Sequence, residues 1–318
     1  MDFKNKQILV TGGAGFVGSH IADRCLAEGA RVRILDNFLT GDRANISSSK
    51  IEVIDGDVRD RDLVDKIMKD VDIVFHQAAH LNPAKAVTDP FYDFEVNVSG
   101  GMNVLFSGEK HKVKKIVLAS TNIYARGEME TMKESVPSLF LRNTLLSPYA
   151  AAKVSVEAYA KTLNDEFGIP TVRLRYSNVI GPRQRTKTES GVVALFVQWS
   201  YEGRPLTIYG NGEQKRDFVY VGDVVEANML AVSRDEANGH VFNVGVGKET
   251  SLNELAEKIL KLTNRSVAIE YLPERAADYP GARIDLAHSR KRLGYSPKVS
   301  VEESLARFVN WYREFYKV

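Results

Sequence analysis

Tyr149 and Lys153 stand four residues apart in the run Ser147-Pro148-Tyr149-Ala150-Ala151-Ala152-Lys153. On a helix, that spacing puts a phenol and an ammonium on one face. The ammonium is expected to pull the phenol down from a pKa of about 10 toward neutrality. A phenol that ionises near neutral pH can take a proton from a carbinol oxygen. A second run, Thr11-Gly12-Gly13-Ala14-Gly15-Phe16-Val17-Gly18, is a glycine-rich turn suited to a dinucleotide. A proton acceptor beside a nicotinamide would serve redox chemistry at a carbinol carbon.

The elements that must position these groups alternate along the first half. The pattern predicts strands at Gln7–Thr11, Arg31–Asp36, Ile51–Ile54, Val71–His76, Lys115–Ser120 and Thr171–Tyr176. Between them it predicts helices at Val17–Ala27, Asp62–Met68 and Phe94–Glu109, with Gly29 closing the first. Ser147 and Pro148 read as N-cap and first residue of a helix that carries Tyr149 and runs to about Phe167. This rhythm implies an α/β fold, a doubly wound, mostly parallel sheet covered on both faces. After Tyr176 the rhythm breaks, and Gly181–Asp217 mixes Gly, Pro and charge. Val241–Val244 could rejoin the main sheet, Leu252–Leu262 carries a stripe of Leu252, Leu255, Ile259 and Leu262, and Glu302–Tyr316 is a closing helix. The expected division is a dinucleotide-binding domain over 1–176, with segments near 218–245 returning to it, and a smaller lobe over 177–318.

Glycines 12, 15 and 18 follow a strand and open a helix, as a pyrophosphate-binding turn requires. Asp36 ends the next strand, where a carboxylate can hold both ribose hydroxyls and repel a 2′-phosphate, which favours NAD over NADP. Phe16 and Val17 in the turn, and Asn37 beside Asp36, join the cofactor set. Asp57 could reach the adenine amino group or simply cap a strand end, and Val58 follows it. Ala78 and Ala79 are small enough for the backbone to pass close to a cofactor. His76 and His80 are four residues apart, but Gln77 replaces the Glu of a zinc-protease helix and the run ends a strand, so no metal is expected. Ser120 and Thr121 end the fifth strand, at the sheet edge where ligands bind; either hydroxyl could touch a substrate oxygen and Tyr149, or merely cap the strand. A phosphate-binding loop of the nucleotide-triphosphatase kind lacks its Lys.

Composition narrows the classes. The 318 residues are 44% apolar and 26% charged, ordinary for a globular chain. Lys plus Arg is 43 against 41 for Asp plus Glu, a net charge of +2, which gives no general pull toward nucleic acid or an anionic membrane. The one cysteine, Cys25, excludes an intrachain disulfide and a thiolate zinc cluster. No signal-peptide core follows Met1 and no run reaches the roughly 18 apolar residues of a membrane span, so a cytoplasmic location is expected.

In this order, the glycine turn, Asp36, the Ser120/Thr121 hydroxyls and the Tyr149/Lys153 pair resemble the extended short-chain dehydrogenase/reductases, and more narrowly their nucleotide-sugar epimerase/dehydratase branch. Further signatures are Arg175-Tyr176-Ser177-Asn178-Val179-Ile180-Gly181-Pro182-Arg183, Gln214-Lys215-Arg216-Asp217-Phe218-Val219-Tyr220-Val221-Gly222-Asp223, and Arg275 with Asp278 ahead of Leu293-Gly294-Tyr295. The resemblance implies a Rossmann-type fold, bound NAD and a nucleoside-diphosphate-sugar substrate. It makes Tyr149 the acid/base and Lys153 the group that holds the nicotinamide ribose. It places Asn178 near the substrate phosphates, Arg216 and Arg275 on the diphosphate, and Asp278 on the nucleoside. Counted from the strand, Thr121 takes the catalytic hydroxyl position; counted back from Tyr124, Ser120 does, and the strand register favours Thr121. Dehydratases of the branch follow that position with Asp-Glu, and decarboxylases have a Glu nearby; here Asn122-Ile123 follows, and neither side chain is a general acid. The expectation is a UDP-hexose 4-epimerase, acting on UDP-Glc/UDP-Gal and, through the small Gly281-Ala282 position, on UDP-GlcNAc/UDP-GalNAc. The family implies a homodimer paired through the Phe94–Glu109 and Tyr149–Phe167 helices. The alternatives are another nucleotide-sugar enzyme of the branch (a dehydratase, decarboxylase or keto-sugar reductase) and, outside enzymes, an NAD-binding regulator.

Overall fold

The computed structural model describes residues 3–81, 83–122, 131–134, 147–186, 191–274, 281 and 283–318. Along the first half run β1 (Gln7–Thr11), α1 (Phe16–Ala27), β2 (Arg31–Asp36), β3 (Glu52–Asp55), α2 (Arg61–Ile67), β4 (Ile73–His76), α3 (Pro83–Thr88), α4 (Pro90–Phe94), α5 (Gly100–Lys110), β5 (Lys115–Thr121), β6 (Thr131–Met132), α6 (Pro148–Phe167) and β7 (Thr171–Tyr176). The second half adds β8 (Asn178–Ile180), α7 (Val192–Glu202), β9 (Leu206–Tyr209), β10 (Lys215–Tyr220), α8 (Val221–Ser233), β11 (Val241–Val244), β12 (Glu249–Ser251), α9 (Leu252–Thr263), β13 (Ile269–Leu272), β14 (Arg283–Ile284) and α10 (Val301–Tyr316).

Seven strands form one sheet in the order β11-β7-β5-β4-β1-β2-β3. Every pairing in it is parallel. The fold is the doubly wound, Rossmann-type α/β sheet that the alternation of elements implies. Its strands bury both faces, so successive side chains enter different cores. Ile8 and Val10 join Ile21 and Cys25 of α1 and Val225 and Met229 of α8. Leu9, between them, joins Val64 of α2, Val104 and Leu105 of α5, and Val156 and Ala160 of α6. A third core, with Phe196 and Val197 of α7, Leu255 and Ile259 of α9, and Leu305 and Phe308 of α10, gathers around Ile208 and Phe218. Each Val, Leu, Ile, Met or Phe among them, fully buried, contributes about 1.5–3 kcal/mol.

Local signals set the helix that carries Tyr149. Ser147 caps α6 by accepting from the Ala150 N–H at 3.2 Å, Pro148 takes the first turn, and Gly168 ends the helix in the left-handed region at φ 69°. Gly29, just beyond α1, likewise has φ +82°.

Three expectations are refined. The stretch expected as one helix over Phe94–Glu109 is helical throughout, with α4 running into a π-helical turn at Glu95–Ser99 and that turn into α5. The cause is tertiary. Asn97 donates through Nδ2 to the His80 carbonyl at 3.1 Å, and its Oδ1 accepts from the His80 N–H at 3.0 Å. That two-way clamp accompanies a widened turn, as π-bulges at functional sites do. The Leu252–Leu262 stripe is narrower than expected: Leu255 and Ile259 are buried, but Leu252 is half-buried and Leu262 is 39% exposed. Gly181–Asp217 is more regular than its composition suggests, since α7, β9 and the start of β10 lie there.

Candidate active site

The strand order turns around between β1 and β4: β2 and β3 follow on one side, β5, β7 and β11 on the other. In such sheets the ligand crevice lies beyond the carboxyl ends of the strands at that reversal. β1 ends there at Thr11 and β4 at His76. The two ends are joined. Thr11 Oγ1 lies 2.7 Å from His76 Nδ1 and accepts from the Ala78 N–H at 3.3 Å.

The glycine turn follows. Gly12 has φ +67°, and a Cβ there would stand 2.7 Å from the Ala78 backbone nitrogen. A Cβ at Gly18 would stand 2.2 Å from the Gly12 carbonyl oxygen. Neither position admits a side chain, so backbone lies against backbone, and α1 starts at Phe16 with Gly15 as its N-cap, which leaves its first N–H groups without a helical partner. Phe16 and Val17 are half-buried in that first turn. Asp36 ends β2, buried, with Oδ2 accepting from the Ala14 N–H and Oδ1 from the Phe38 N–H, both at 2.9 Å. Burial pushes its carboxyl up, while those two N–H donors oppose the rise. Asn37 donates to Asp57 Oδ2 at 2.8 Å. Asp57 is also bonded by the Arg59 guanidinium and backbone N–H; burial works against the charge, but these donors prevail and hold the carboxyl below its usual value. Val58 is buried, and Ala78 and Ala79 are half-buried past the end of β4. A cradle that any Cβ would fill, a helix start and a carboxylate at the end of the second strand are what a dinucleotide with free ribose hydroxyls requires. The residues present fit NAD.

β5 and α6 supply the reactive groups. The Thr121 hydroxyl is hydrogen-bonded to the Tyr149 phenol. Lys153 Nζ donates to the Ala119 carbonyl at 3.3 Å and lies 6.0 Å from the centre of the Tyr149 ring. Ser120 shares a small cavity with Lys153, His76, Asn97 and Glu157. So of the two candidate hydroxyls, Thr121 meets the phenol and Ser120 lies on the lysine side. Tyr149, expected to be drawn toward neutrality by Lys153, is instead pushed up, first by burial and then by the negative charge of Asp93, with the Thr121 bond opposing. The reason is that helical spacing fixes only a shared face, whereas the pKa answers to everything packed around it. Burial lowers Lys153 to about 8, and Asp93 and Glu157 work against that fall.

Asp93 was not anticipated. It is 1% exposed, meets His80 Nδ1 through Oδ1 at 3.1 Å and accepts from Asn97 Nδ2 at 2.9 Å. Its neighbour in the same turn, Asn97, lines the cavity beside Lys153. Nothing in the linear pattern pairs α4 with α6, which pack directly against each other in the fold. His76 and His80 are thus bonded to Thr11 and Asp93, and among the described residues no cluster suited to a metal ion occurs. His76 is pushed down to about 3 by burial and the Lys153 charge, so it stays neutral.

On the smaller lobe, Asn178 and Arg216 line one cavity together with Asn122, Lys215 and Asp217. Asn178 donates to the Asp217 carbonyl at 3.0 Å, and Arg216 Nη1 to the Lys215 carbonyl at 2.7 Å. Asp217, also unanticipated as a support, is buried and accepts from Ser177 Oγ at 2.8 Å and from the Gly247 N–H at 2.6 Å. It fixes β8, β10 and the turn after β11 to one another. Arg275, Asp278 and Ala282 lie outside the described residues. Gly281 has φ +112°, and a Cβ there would stand 2.2 Å from the Lys215 carbonyl oxygen.

The model of the NAD-dependent epimerase/dehydratase family matches residues 8–245. A UDP-glucose 4-epimerase of Mycolicibacterium smegmatis is 34% identical over 312 residues, 96% of this chain and 98% of its own. A UDP-N-acetyl-alpha-D-glucosaminuronate decarboxylase of Bacillus cytotoxicus is 30% identical over 97% of this chain and 98% of its own. The crystal structure of Thermus thermophilus UDP-glucose 4-epimerase in complex with NAD superposes with a TM-score of 0.88, at 36% identity, over 96% of this chain and 99% of that one. The chain is an enzyme of the epimerase/dehydratase kind with NAD as its cofactor, and it belongs to the NAD-dependent epimerase/dehydratase family.

Proposed function

We propose that the chain is a nucleotide-sugar 4-epimerase that inverts C4 of a UDP-hexose through a transient 4-keto sugar. One observation carries the reading: Thr121 is bonded to Tyr149, and the next residue, the buried Asn122, offers no acid to drive elimination of water. With no acid at that position, return of hydride and proton to C4 is the outcome this reading favours. NAD, when bound, supplies the acceptor and then the donor of hydride at C4. Tyr149 would take the C4 hydroxyl proton as phenolate, an ionisation that burial and Asp93 oppose and that the positive nicotinamide of bound NAD would favour, and Thr121 orients that oxygen. Lys153, whose positive charge Asp93 and Glu157 favour, is the cation available to the phenolate as it forms. After the keto sugar turns over, Tyr149 returns the proton on the opposite face.

In this reading residues 1–176, with segments near 218–245, hold NAD, and 177–318 hold the sugar nucleotide. Asn178, Arg216 and Arg275 take the diphosphate, as fixed guanidinium forks and amides do, and Asp278 takes the nucleoside. UDP-Glc/UDP-Gal is the first substrate pair to try, and UDP-GlcNAc/UDP-GalNAc the second. The chain is proposed to work in the cytoplasm, in keeping with its single, buried cysteine. It is proposed to pair with a second copy through the α4, α5 and α6 face, where Phe91 is 81%, Phe94 54%, Phe106 43% and Tyr159 45% exposed.

The test is to incubate the purified chain with each UDP-, GDP- and dTDP-sugar without added cofactor and read C4 stereochemistry by NMR. Conversion between C4 epimers of a UDP-hexose is expected. Release of carbon dioxide or water, with no C4 inversion, would replace the epimerase by a decarboxylase or dehydratase.

A further inference from the structure

Residues 181–186, which follow β8, lie back against α1 and the 42–45 loop. Pro182 O stands 3.0 Å from His20 Nε2 of α1, and Arg183 Nη2 bonds Asp23 Oδ2 at 2.7 Å. Arg185 goes furthest. Its guanidinium is ion-paired through Nη1 with Asp42 and reaches Asn45 Oδ1 through Nη2 at 3.4 Å. Its other partner is the ring of Phe315 at the end of α10, 4.6 Å from the guanidinium carbon to the ring centre. The side chain is only 9% exposed.

Asp42 and Asn45 both hold the middle of the glycine turn. The Asp42 N–H and Asn45 Nδ2 both donate to the Ala14 carbonyl, at 3.0 and 2.8 Å. Ala14 in turn donates to Asp36. One unbroken chain of bonds therefore runs from the last helix of the smaller lobe, through Arg185, to the loop lying on the dinucleotide cradle. An Arg fork shared between a carboxylate, an amide and an aromatic face is held in one orientation, which a Lys in its place could not reproduce.

We propose that Arg185 is a latch: it pins the 42–45 loop over the glycine turn and so slows exchange of bound NAD. In this proposal the dinucleotide leaves the cradle only as that loop moves, and such a movement breaks the Arg185–Asp42 pair. Arg185 is a positioning residue, since no substrate atom is assigned to it. The inference holds whichever sugar reaction the enzyme performs.

The experiment measures NAD, not turnover. Wild type, Arg185→Ala, Arg185→Lys and Phe315→Leu would be purified alike, and NAD per chain would be released by heat and quantified after gel filtration. Exchange of bound NAD for a fluorescent etheno-NAD would then be timed. Arg185→Ala should exchange at least about tenfold faster than wild type and emerge depleted of NAD. Arg185→Lys should fall between them, and Phe315→Leu should speed exchange a few-fold. The Arg185→Ala and Phe315→Leu effects should not add, because both act through one guanidinium. NAD content and exchange in Arg185→Ala equal to wild type would overturn the latch. If that variant does not fold, unchanged exchange in both Arg185→Lys and Phe315→Leu would overturn it as well, and so would a wild-type chain that takes up no NAD.

Discussion

The glycine turn after β1 and the Tyr149 pocket at the start of α6 serve one crevice through different physics. In the turn, missing side chains let backbone close on backbone, and the useful groups are N–H donors whose character no neighbour can change. In the pocket, the useful groups are side chains whose protonation is set by what surrounds them. Tyr149 is pushed up by burial and by Asp93, and Lys153 is pushed down to about 8 by burial. The first kind of site tolerates nothing added. The second tolerates changes of shape but answers sharply to changes of charge.

The largest effect should come from adding a side chain to the turn. A Cβ at Gly18 already stands 2.2 Å from the Gly12 carbonyl, so Gly18→Val should empty the cradle. Bound NAD per chain after purification is expected to fall below about a tenth of wild type, with a stability loss of about 1–3 kcal/mol from overpacking. Normal NAD content in a folded Gly18→Val chain would break the distinction drawn between the two regions.

A smaller effect joins them. His76 ends β4, bonded to Thr11 of the turn's strand on one side and facing the Lys153 charge on the other. Its folded pKa of about 3 lies below its usual 6.5, so between those values the unfolded chain binds more protons than the folded one. Stability therefore holds above about pH 6.5 and falls as pH drops toward about 3. His76→Asn should remove that part of the acid sensitivity. Wild type is expected to lose about 2 kcal/mol more than the variant between about pH 7 and pH 4.5, read from denaturant midpoints at each pH. Equal losses would show that His76 takes its proton while folded.

What could be read from the chain follows the same division. The three glycines, Asp36, and the Tyr149/Lys153 pair lie within single turns or at strand ends, so spacing alone locates them. Ser147 and Pro148 announce α6 because capping is local. Asp93 and Asn97 announce nothing: their importance comes from a π-turn held by bonds to His80 in another segment. α7 escaped notice because its Val192–Glu202 run sits between glycine-rich and charged stretches and draws its stability from α9 and α10 in the third core. The pKa of Tyr149 is the sharpest case. Two residues on one helix face suggested a lowered phenol, and a carboxylate from another helix, together with full burial, decided otherwise.

The most direct test of the account is the rate of C4 inversion in Tyr149→Phe, measured with the bound-NAD content of the same preparation. The account predicts NAD retained at the wild-type level and a rate about 10²–10⁴-fold lower. A Phe variant that holds NAD and inverts C4 at near the wild-type rate would contradict it.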